Sequence, residues 1–291
     1  MAPYERILVP TDGSDNANEA ATYALDMAKM LGAEVMALSV NDNSGFAIMS
    51  GEVDPEVEEH YRGMGRDATA HVVEMGKNVG VEVSPLVIEG IPAAEIVTVS
   101  KEFDVVVMGT MGRTGLAHFL LGSVAEHVVR LAHCPVLVVR AGNERKASEC
   151  HRLLIATDGS ESSVVAVEHG LKLAASLRAE VTVMSVSDVR DLPGSVYKFR
   201  DHLRRSTDAC QRTVDAVAAE GRKLGLNVAT MVAIGSPANE IVKESERHDL
   251  VVTGTLGRSG LARLRLGSVA ERTVRHSRCP VLVVRMPDKS Q

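Results

Sequence analysis

Two glycine loops with a fixed spacing carry the strongest chemical signal in this 291-residue sequence. Each loop has two glycines separated by two residues, then nine residues, then a glycine followed by serine: Gly109, Gly112, Gly122 and Ser123, and again Gly254, Gly257, Gly267 and Ser268. Glycine lets the backbone approach a phosphate without an obstructing Cβ, and the N-terminus of a following helix favours anions. The spacing therefore indicates a polyphosphate-binding loop, present twice.

A structural explanation competes with phosphate binding. Ser123 with Glu126, and Ser268 with Glu271, fit the capping box, in which a serine and a glutamate three residues later satisfy free N–H groups at a helix start. The capping box explains the serines but leaves the glycines unexplained. From spacing alone, a phosphate loop and a structural turn are supported equally.

A second repeated loop supplies a carboxylate near the same place. Thr11-Asp12-Gly13-Ser14 returns as Thr157-Asp158-Gly159-Ser160. This aspartate suits ribose or metal binding as well as it suits the activation of a water molecule. The loop therefore marks a site without fixing its chemistry.

The paired loops belong to a domain that is duplicated end to end. The segments 6–14 and 152–160 match at an offset of 146 residues, and the segments 134–140 and 279–285 match at 145. Between the copies lies a polar stretch without hydrophobic period, which is typical of a linker. We predict domains at 1–140 and 150–291, joined by a linker at 141–149.

Short apolar runs alternate with stretches of helical period in each copy. The runs 7–9, 35–40, 83–88, 105–108 and 136–139 are mostly β-branched, as buried parallel strands are. Apolar residues between them fall on single helical faces, in the first copy Ala17, Ala20, Ala21, Ala24, Ala28 and Leu31, and in the second Val164, Val167, Leu171, Ala174 and Ala175. The pattern predicts two tandem doubly wound α/β domains with five-stranded parallel sheets and ligands outside the carboxyl ends of the strands.

Composition excludes several classes of protein. The chain is 45% hydrophobic and 24% charged, and no apolar run approaches the roughly 20 residues that a membrane helix needs. Tryptophan is absent and aromatic residues make up 3% of the chain, which disfavours nucleic-acid binding by base stacking. Four scattered cysteines and the lack of a secretory leader favour reduced thiols and a cytoplasmic protein.

Other nucleotide-site signatures do not fit. Neither glycine loop contains the lysine and hydroxyl pair of a P-loop, and neither first strand leads into G-x-G-x-x-G. The third strand lacks the terminal aspartate of a phospho-acceptor receiver domain in both copies. These absences leave the motif G-x2-G-x9-G-[ST] as the feature to explain.

That motif, a strand ending in T-D-G-S and a final C-P-V-L-V-V strand together resemble the universal stress protein family, in its ATP-binding branch. The resemblance covers essentially the whole chain as a tandem pair. It implies an adenine nucleotide α-hydrolase-like fold, with ATP and Mg²⁺ as ligands of each domain.

The resemblance also implies residue roles. It assigns adenine binding to the main chain of Val40 and Val186, and the ribose or metal side to Asp12 and Asp158. The neighbouring strand ends are Pro10 and Thr11 in the first copy and Ala156 and Thr157 in the second, where alanine replaces the proline that fixes φ. The implied phosphate contacts are Gly109, Gly112, Arg113, Gly122, Ser123 and Val124, and Gly254, Gly257, Arg258, Gly267, Ser268 and Val269. The two arginines are equally well explained as exposed loop residues.

The resemblance implies a nucleotide-binding regulatory protein of the stress response. The alternative is a slow ATP hydrolase or nucleotide-cleaving enzyme that uses Asp12 and Asp158, although the signatures S-G-G-x-D-S and H-I-G-H are absent. The resemblance further implies that the last strands of the two domains meet across a pseudo-two-fold axis inside the chain. A homodimer of the whole chain is a further possibility, and we expect no nucleic-acid or membrane partner.

Overall fold

The chain forms two compact units, Met1–Ser148 and Glu149–Gln291, in a computed structural model. The structure describes residues 3–42, 55–112, 121–140, 142–143, 145–189, 196–257 and 266–286. Each unit is an α/β domain with a parallel sheet, as the sequence predicts. The units are described separately below.

In the first unit, the described residues form five strands and four α-helices. The elements are β1 (Arg6–Pro10), α1 (Asp15–Leu31), β2 (Glu34–Asn41), α2 (Pro55–Val79), β3 (Val83–Glu89), α3 (Pro92–Val99), β4 (Val105–Gly109), α4 (Ser123–Leu131) and β5 (Val136–Val139). The strands pair in parallel in the order β3-β2-β1-β4-β5. The predicted strands are confirmed, and their bounds differ by at most one residue at either end.

The described part of the second unit repeats this order of elements. They are β6 (Arg152–Ala156), α5 (Glu161–Leu177), β7 (Glu180–Asp188), α6 (Val196–Lys223), β8 (Val228–Gly235), α7 (Pro237–Glu244), β9 (Leu250–Gly254), α8 (Ser268–His276) and β10 (Val281–Val284). The parallel order is β8-β7-β6-β9-β10. In each unit the second and third strands lie on one side of the first strand, and the fourth and fifth lie on its other side. The strand order therefore reverses between β6 and β9, as it does between β1 and β4.

Helices cover both faces of each sheet. In the first unit α1 packs against α2, and α3 packs against α4, so that right-handed crossovers place one pair on each face. This is the doubly wound arrangement that the sequence predicts. None of the helices that the structure describes is long and apolar enough to cross a membrane.

The first helix of each unit begins at the T-D-G-S loop. Ser14 is the N-cap of α1, and its Oγ accepts from the Ala17 N–H at 3.3 Å; Ser160 caps α5 in the same way. Gly13 has a φ of +79°, a left-handed conformation that glycine adopts without a steric penalty. The serine of this motif is therefore a helix cap.

The predicted buried faces of these helices are correct in the first copy and partly wrong in the second. Ala17, Ala20, Ala21, Ala24 and Ala28 are buried on α1, and Leu31, the last residue of the predicted face, is half-buried. On α5, Val164 is 51% exposed and Ala175 is also exposed. The buried stripe of α5 instead includes residues that hydropathy does not mark, such as Ser163 and Gly170, because small side chains let the helix approach the sheet closely.

An aspartate holds the first strand of each unit at the end opposite to the glycine loops. Asp104 Oδ2 accepts from the backbone N–H groups of Glu5 and Arg6 at 2.7 and 2.9 Å. Asp249 Oδ2 accepts from those of His151 and Arg152 at 3.1 and 2.9 Å. These bonds fix β1 against β4 and β6 against β9, the strand pairs whose other ends carry the repeated loops.

The predicted linker is partly ordered by contacts with α1. Glu19 Oε2 accepts from the Gly142 N–H at 2.8 Å, and Asp26 Oδ2 accepts from the Ser148 N–H at 2.6 Å. Residues Ala147–Glu149 form a turn of 3-10 helix. The end of the first unit is therefore held by its own first helix.

All four cysteines are buried, and none of them is in a disulfide. Burial, and to a smaller extent the nearby Asp104, raises the pKa of Cys134 to about 12. Because the thiolate is the reactive form, Cys134 is an inert packing residue at neutral pH.

Candidate functional site

A cavity of about 450 Å³ lies over the carboxyl ends of β6, β7 and β9 in the second unit. This position follows the rule that ligands of doubly wound sheets bind where the strand order reverses. The cavity brings together most of the site residues predicted for this copy: Ala156, Thr157, Asp158, Val186, Gly254, Gly257, Gly267, Ser268 and Val269. Arg258 and its counterpart Arg113 lie outside the described residues.

The glycine loops pass close to other parts of their own units. A Cβ on Gly109 would lie 2.8 Å from the Asn16 carbonyl oxygen, and one on Gly254 would lie 3.0 Å from that of Ser162. A Cβ on Gly267 would lie 2.9 Å from the Thr255 oxygen. Internal packing therefore accounts for these glycines, and their presence alone does not decide between a structural turn and a phosphate loop.

The capping-box interpretation of the serines is wrong. The N-cap of α4 is Gly122 and that of α8 is Gly267, both extended and without a side-chain cap. Ser123 and Ser268 are instead the first helical residues, and both are exposed. The glycine enters the cap position because its N–H donates to a loop carbonyl, that of Thr110 or Thr255, at 2.8 Å.

The start of α4 and of α8 has the geometry of an anion site. The first intrahelical bonds run from Glu126 to the Gly122 carbonyl and from Glu271 to that of Gly267, each at 2.9 Å. Helix geometry leaves the three preceding N–H groups without an intrahelical acceptor, in the first unit those of Ser123, Val124 and Ala125. These groups and the helix dipole favour a negative charge at this point.

The repeated aspartate borders the glycine loop in both units. Asp12 Oδ1 accepts from the Ser14 N–H at 3.0 Å and from its Oγ–H at 2.6 Å. Asp12 Oδ2 lies 2.6 Å from the position of a Cβ on Gly112, and Asp158 Oδ2 lies 3.2 Å from that of a Cβ on Gly257. One carboxylate oxygen thus orders the turn, while the other reaches the glycine loop.

The strand-end threonines stabilise the same turns. The Thr11 N–H donates to the Leu38 carbonyl at 2.8 Å, and its Oγ1 accepts from the Gly13 N–H at 3.1 Å. Thr157 repeats both contacts, and its Oγ1 also donates to Ser163 Oγ at 3.0 Å. Pro10 and Ala156 are buried as the last residues of their strands. These four residues shape the site, and Thr11 and Thr157 are themselves almost completely buried.

The main-chain groups of Val40 and Val186 lie next to the carboxyl ends of the neighbouring strands, β1 and β6. Leu38 and Met184 direct their carbonyls towards the first strand of the unit, where they accept from Thr11 and Thr157. Peptide groups two residues apart on a strand point to the same side. The N–H and C=O of Val40 and Val186 therefore point beyond the ends of β1 and β6.

Sequence reasoning missed the residues at this end of the cavity. They are Met184, Asp188, His202, Ser206, Pro237 and Ile241, from β7, α6 and α7. The duplication contained a signal for two of them, because Pro92 and Ile96 recur as Pro237 and Ile241 within a common P-A-x-E-I segment. No comparable repeat marks His202 and Ser206.

The described residues contain no cluster of three or more His, Cys, Asp or Glu side chains that could hold a metal ion. A protein-only metal cage is thus absent from this part of the chain. Mg²⁺ does not require such a cage, because it is usually held by one or two carboxylates together with substrate phosphates and water. Asp158 lines the same cavity as the start of α8, and Asp12 borders the glycine loop of its own unit, so both fit that mode of binding.

Comparison with known proteins gives matches along most of the chain. A sequence model described as the universal stress protein family matches residues 3–140 and 149–285. Universal stress protein MJ0531 of Methanocaldococcus jannaschii is 46% identical over 140 residues, which are 47% of this chain and 82% of that protein.

Solved structures match the chain in fold. A universal stress protein from Archaeoglobus fulgidus matches with a TM-score of 0.75 and 22% identity, over 99% of this chain and 98% of that chain. A universal stress protein solved in complex with cAMP is 23% identical, with a TM-score of 0.38, over 46% of this chain and 97% of that chain. That second protein therefore binds a cyclic adenine nucleotide.

Proposed function

Because the chain belongs to the universal stress protein family, we propose that each unit binds one adenine nucleotide, as ATP with Mg²⁺, and that nucleotide occupancy regulates a stress response. The observation that carries this proposal is the start of α4 and α8. There, three N–H groups without intrahelical acceptors open next to a glycine loop at the carboxyl ends of the strands.

The phosphates are assigned to the glycine-loop end. The N–H groups of Ser123 and Val124, and of Ser268 and Val269, belong to the first turn of their helices, and both serine side chains are exposed. In the second unit Gly254, Gly257 and Gly267 line the same cavity as this first turn. Several peptide N–H groups converging on one point suit a polyphosphate better than a single charged side chain would.

The base is assigned to the opposite end. The Val186 main chain presents one donor and one acceptor beyond the end of β6, and the side chains of Met184, Pro237 and Ile241 provide apolar walls. A flat heterocycle with a hydrogen-bonding edge satisfies both features. Val40 occupies the equivalent strand position in the first unit, with Pro92 and Ile96 at the positions of the α7 residues.

Asp12 and Asp158 would hold the Mg²⁺ that accompanies the nucleotide. We assign Oδ2 of each aspartate to the metal side or to the ribose, because Oδ2 is the oxygen that reaches the glycine loop. When bound, Mg²⁺ neutralises phosphate charge. The aspartate then positions the metal without forming a complete coordination shell.

The alternative activity, slow hydrolysis by Asp12 or Asp158, is less well supported by the geometry. A general base must reach the attacking water with an available oxygen. In both units Oδ1 accepts a backbone N–H from the following serine, and Oδ2 is the oxygen that the binding proposal assigns to the metal side or the ribose. We therefore propose that the aspartate is mainly a binding and turn-forming residue.

The test is a calorimetric titration of the nucleotide-stripped full chain with ATP in Mg²⁺. We expect two molecules of ATP per chain, and a loss of affinity of about tenfold when EDTA removes the metal. A stoichiometry near zero in protein that circular dichroism shows to be folded would refute the proposal. Phosphate release measured in the same samples tests hydrolysis directly.

We also propose that the final strands, β5 and β10, form the contact between the units. Each is short and fully apolar, and all of its side chains are buried. An apolar strand at the end of a sheet must be covered, because its backbone groups otherwise invite pairing with other chains. The related strand in the other copy supplies a matching surface.

The proposed compartment is the cytoplasm. None of the four cysteines, Cys134, Cys150, Cys210 and Cys279, is in a disulfide, and each is buried. Free thiols without disulfides are typical of a reducing compartment.

A further inference from the structure

Two side chains from α6 line the cavity of the second unit at the end near Val186, which we call the nucleoside end. His202 and Ser206 line it, one helical turn apart on the same face of the helix. The next members of this stripe, Cys210 and Val214, are 1% and 0% exposed and pack in the core. The face of α6 that packs in the core at Cys210 and Val214 therefore lies over the cavity at the N-terminal end of the helix.

Ser206 is held in place by the strand that carries the base-binding main chain. Ser187 Oγ donates to Ser206 Oγ at 2.8 Å, and Ser187 follows Val186 directly on β7. A serine hydroxyl that makes one hydrogen bond can still donate or accept another. Ser206 therefore offers a positioned hydroxyl to the cavity.

His202 adds an exposed imidazole at the same end of the cavity. An imidazole can donate from one ring nitrogen and accept at the other, so it matches either a sugar hydroxyl or the edge of a base. The glycine loop and the start of α8 form the opposite, phosphate end. The residues that line the cavity together with His202 include Asp188, the last residue of β7.

The first unit has different residues at these positions. Gly76 and Gly221 correspond at the repeat offset of 145, which aligns Ser206 with Tyr61 and His202 with Val57. The two copies therefore share the sequence of the glycine loop but differ in sequence at these two positions of α6.

We infer that His202 and Ser206 bind the nucleoside part of the ligand in the second unit. This inference rests on the proposed nucleotide function. It adds a side-chain contact, made in one copy only, to the main-chain contact of Val186.

The experiment measures adenosine, AMP and ATP binding to the full chain with Gly122→Val, so that the second unit supplies the signal. We expect His202→Ala to weaken all three ligands by a similar factor, about fivefold, and Ser206→Ala to do so by about threefold, as the loss of one hydrogen bond predicts. The melting temperature of His202→Ala should not change, because the side chain is exposed.

His71→Ala is the matched control, because His71 is an exposed histidine on α2 of the first unit. It should leave all three affinities unchanged. A loss for ATP without a loss for adenosine would place His202 at the phosphates and overturn the inference, and so would unchanged affinities in both α6 variants. If the chain binds no nucleotide before the α6 substitutions, the proposed function fails first, which is a different result.

Discussion

The two ends of the duplicated site differ in how closely the copies agree. At the glycine-loop end, both units have a glycine N-cap, an exposed first serine and the same 2.8 Å bond from the glycine N–H to a loop carbonyl. At the other end of the cavity in the second unit, α6 contributes His202 and Ser206, whereas the aligned positions in the sequence of the first copy are Val57 and Tyr61. Backbone geometry and close packing constrain the first end, whereas side chains at the second can change without disturbing the fold.

The largest expected effect tests whether the two units are separable. Val138→Asp and Val283→Asp each place a carboxylate on a strand residue that is 2% or 1% exposed. We expect each to lower the free energy of unfolding by about 3–5 kcal/mol, because an unpaired charge cannot remain in that environment. If the final strands meet as proposed, one substitution should loosen both units, which scattering and thermal melting will show.

Val164→Asp is the control for that experiment, since Val164 is 51% exposed on α5. Its melting temperature should stay within the range of ordinary surface changes. If Val138→Asp and Val283→Asp leave both the melting temperature and the scattering profile unchanged, the contact between the units lies elsewhere.

The next effect addresses the end of the site where the copies agree. Gly122→Val and Gly267→Val should each reduce ATP affinity at their own site by about 100-fold or more, because a branched side chain obstructs the loop and the helix start. A Cβ lies closer to backbone oxygen at Gly267, 2.9 Å, than at Gly122, 3.2 Å. We therefore expect the second substitution to cost more stability, measured by denaturant unfolding.

Gly63→Ala provides the matched glycine control, because a Cβ there meets nothing within 4 Å. It should bind two ATP molecules with unchanged affinity. Equal losses at both sites from a single loop substitution would mean that the loop glycines act through stability and not through contact with the ligand.

The smallest effect concerns a difference between α1 and α5. His169 occupies the position of the buried Tyr23, and burial, with the nearby Lys172, lowers its pKa below 6.5. The unfolded chain then binds the proton more tightly, so this group's contribution to stability is present above pH 6.5 and is lost as the pH falls through the folded-state pKa.

His169→Gln should therefore reduce the acid sensitivity of the second unit, with a gain of about 2 °C in melting temperature at pH 5 relative to pH 8. Differential scanning calorimetry at the two pH values measures this shift. An identical pH dependence in the parent chain and the variant would contradict it.

Periodicity and repetition predicted the strands well because buried parallel strands are short and continuously apolar. They predicted the α5 face less well, since Ser163 and Gly170 are buried there through small size and not through hydropathy. The capping box failed for a similar reason. The residue pattern at Ser123 is compatible with an N-cap, but the hydrogen bond from the Gly122 N–H to Thr110 moves the cap one residue earlier.

The nucleoside end was the hardest part to predict from sequence. His202 and Ser206 reach the cavity because α6 extends beyond the end of β7, and this depends on the three-dimensional placement of a helix. Their types and spacing carry no motif. By contrast, Asp12 and the loop glycines recur in both copies, and the structure brings Asp12 to the edge of the glycine loop.

The proposed phosphate site is made largely of peptide N–H groups, which are the same for every residue except proline. Changes of side chain, in evolution or in mutagenesis, therefore leave these groups in place. Replacing Ser123 or Val124 by alanine would remove side-chain atoms and leave the N–H groups of the first helical turn in place. An alanine scan would therefore not detect the backbone N–H groups that are the main donors of the site. Inherited substitutions that keep the helix start would likewise be silent, so the chemistry could persist while the surrounding sequence diverges.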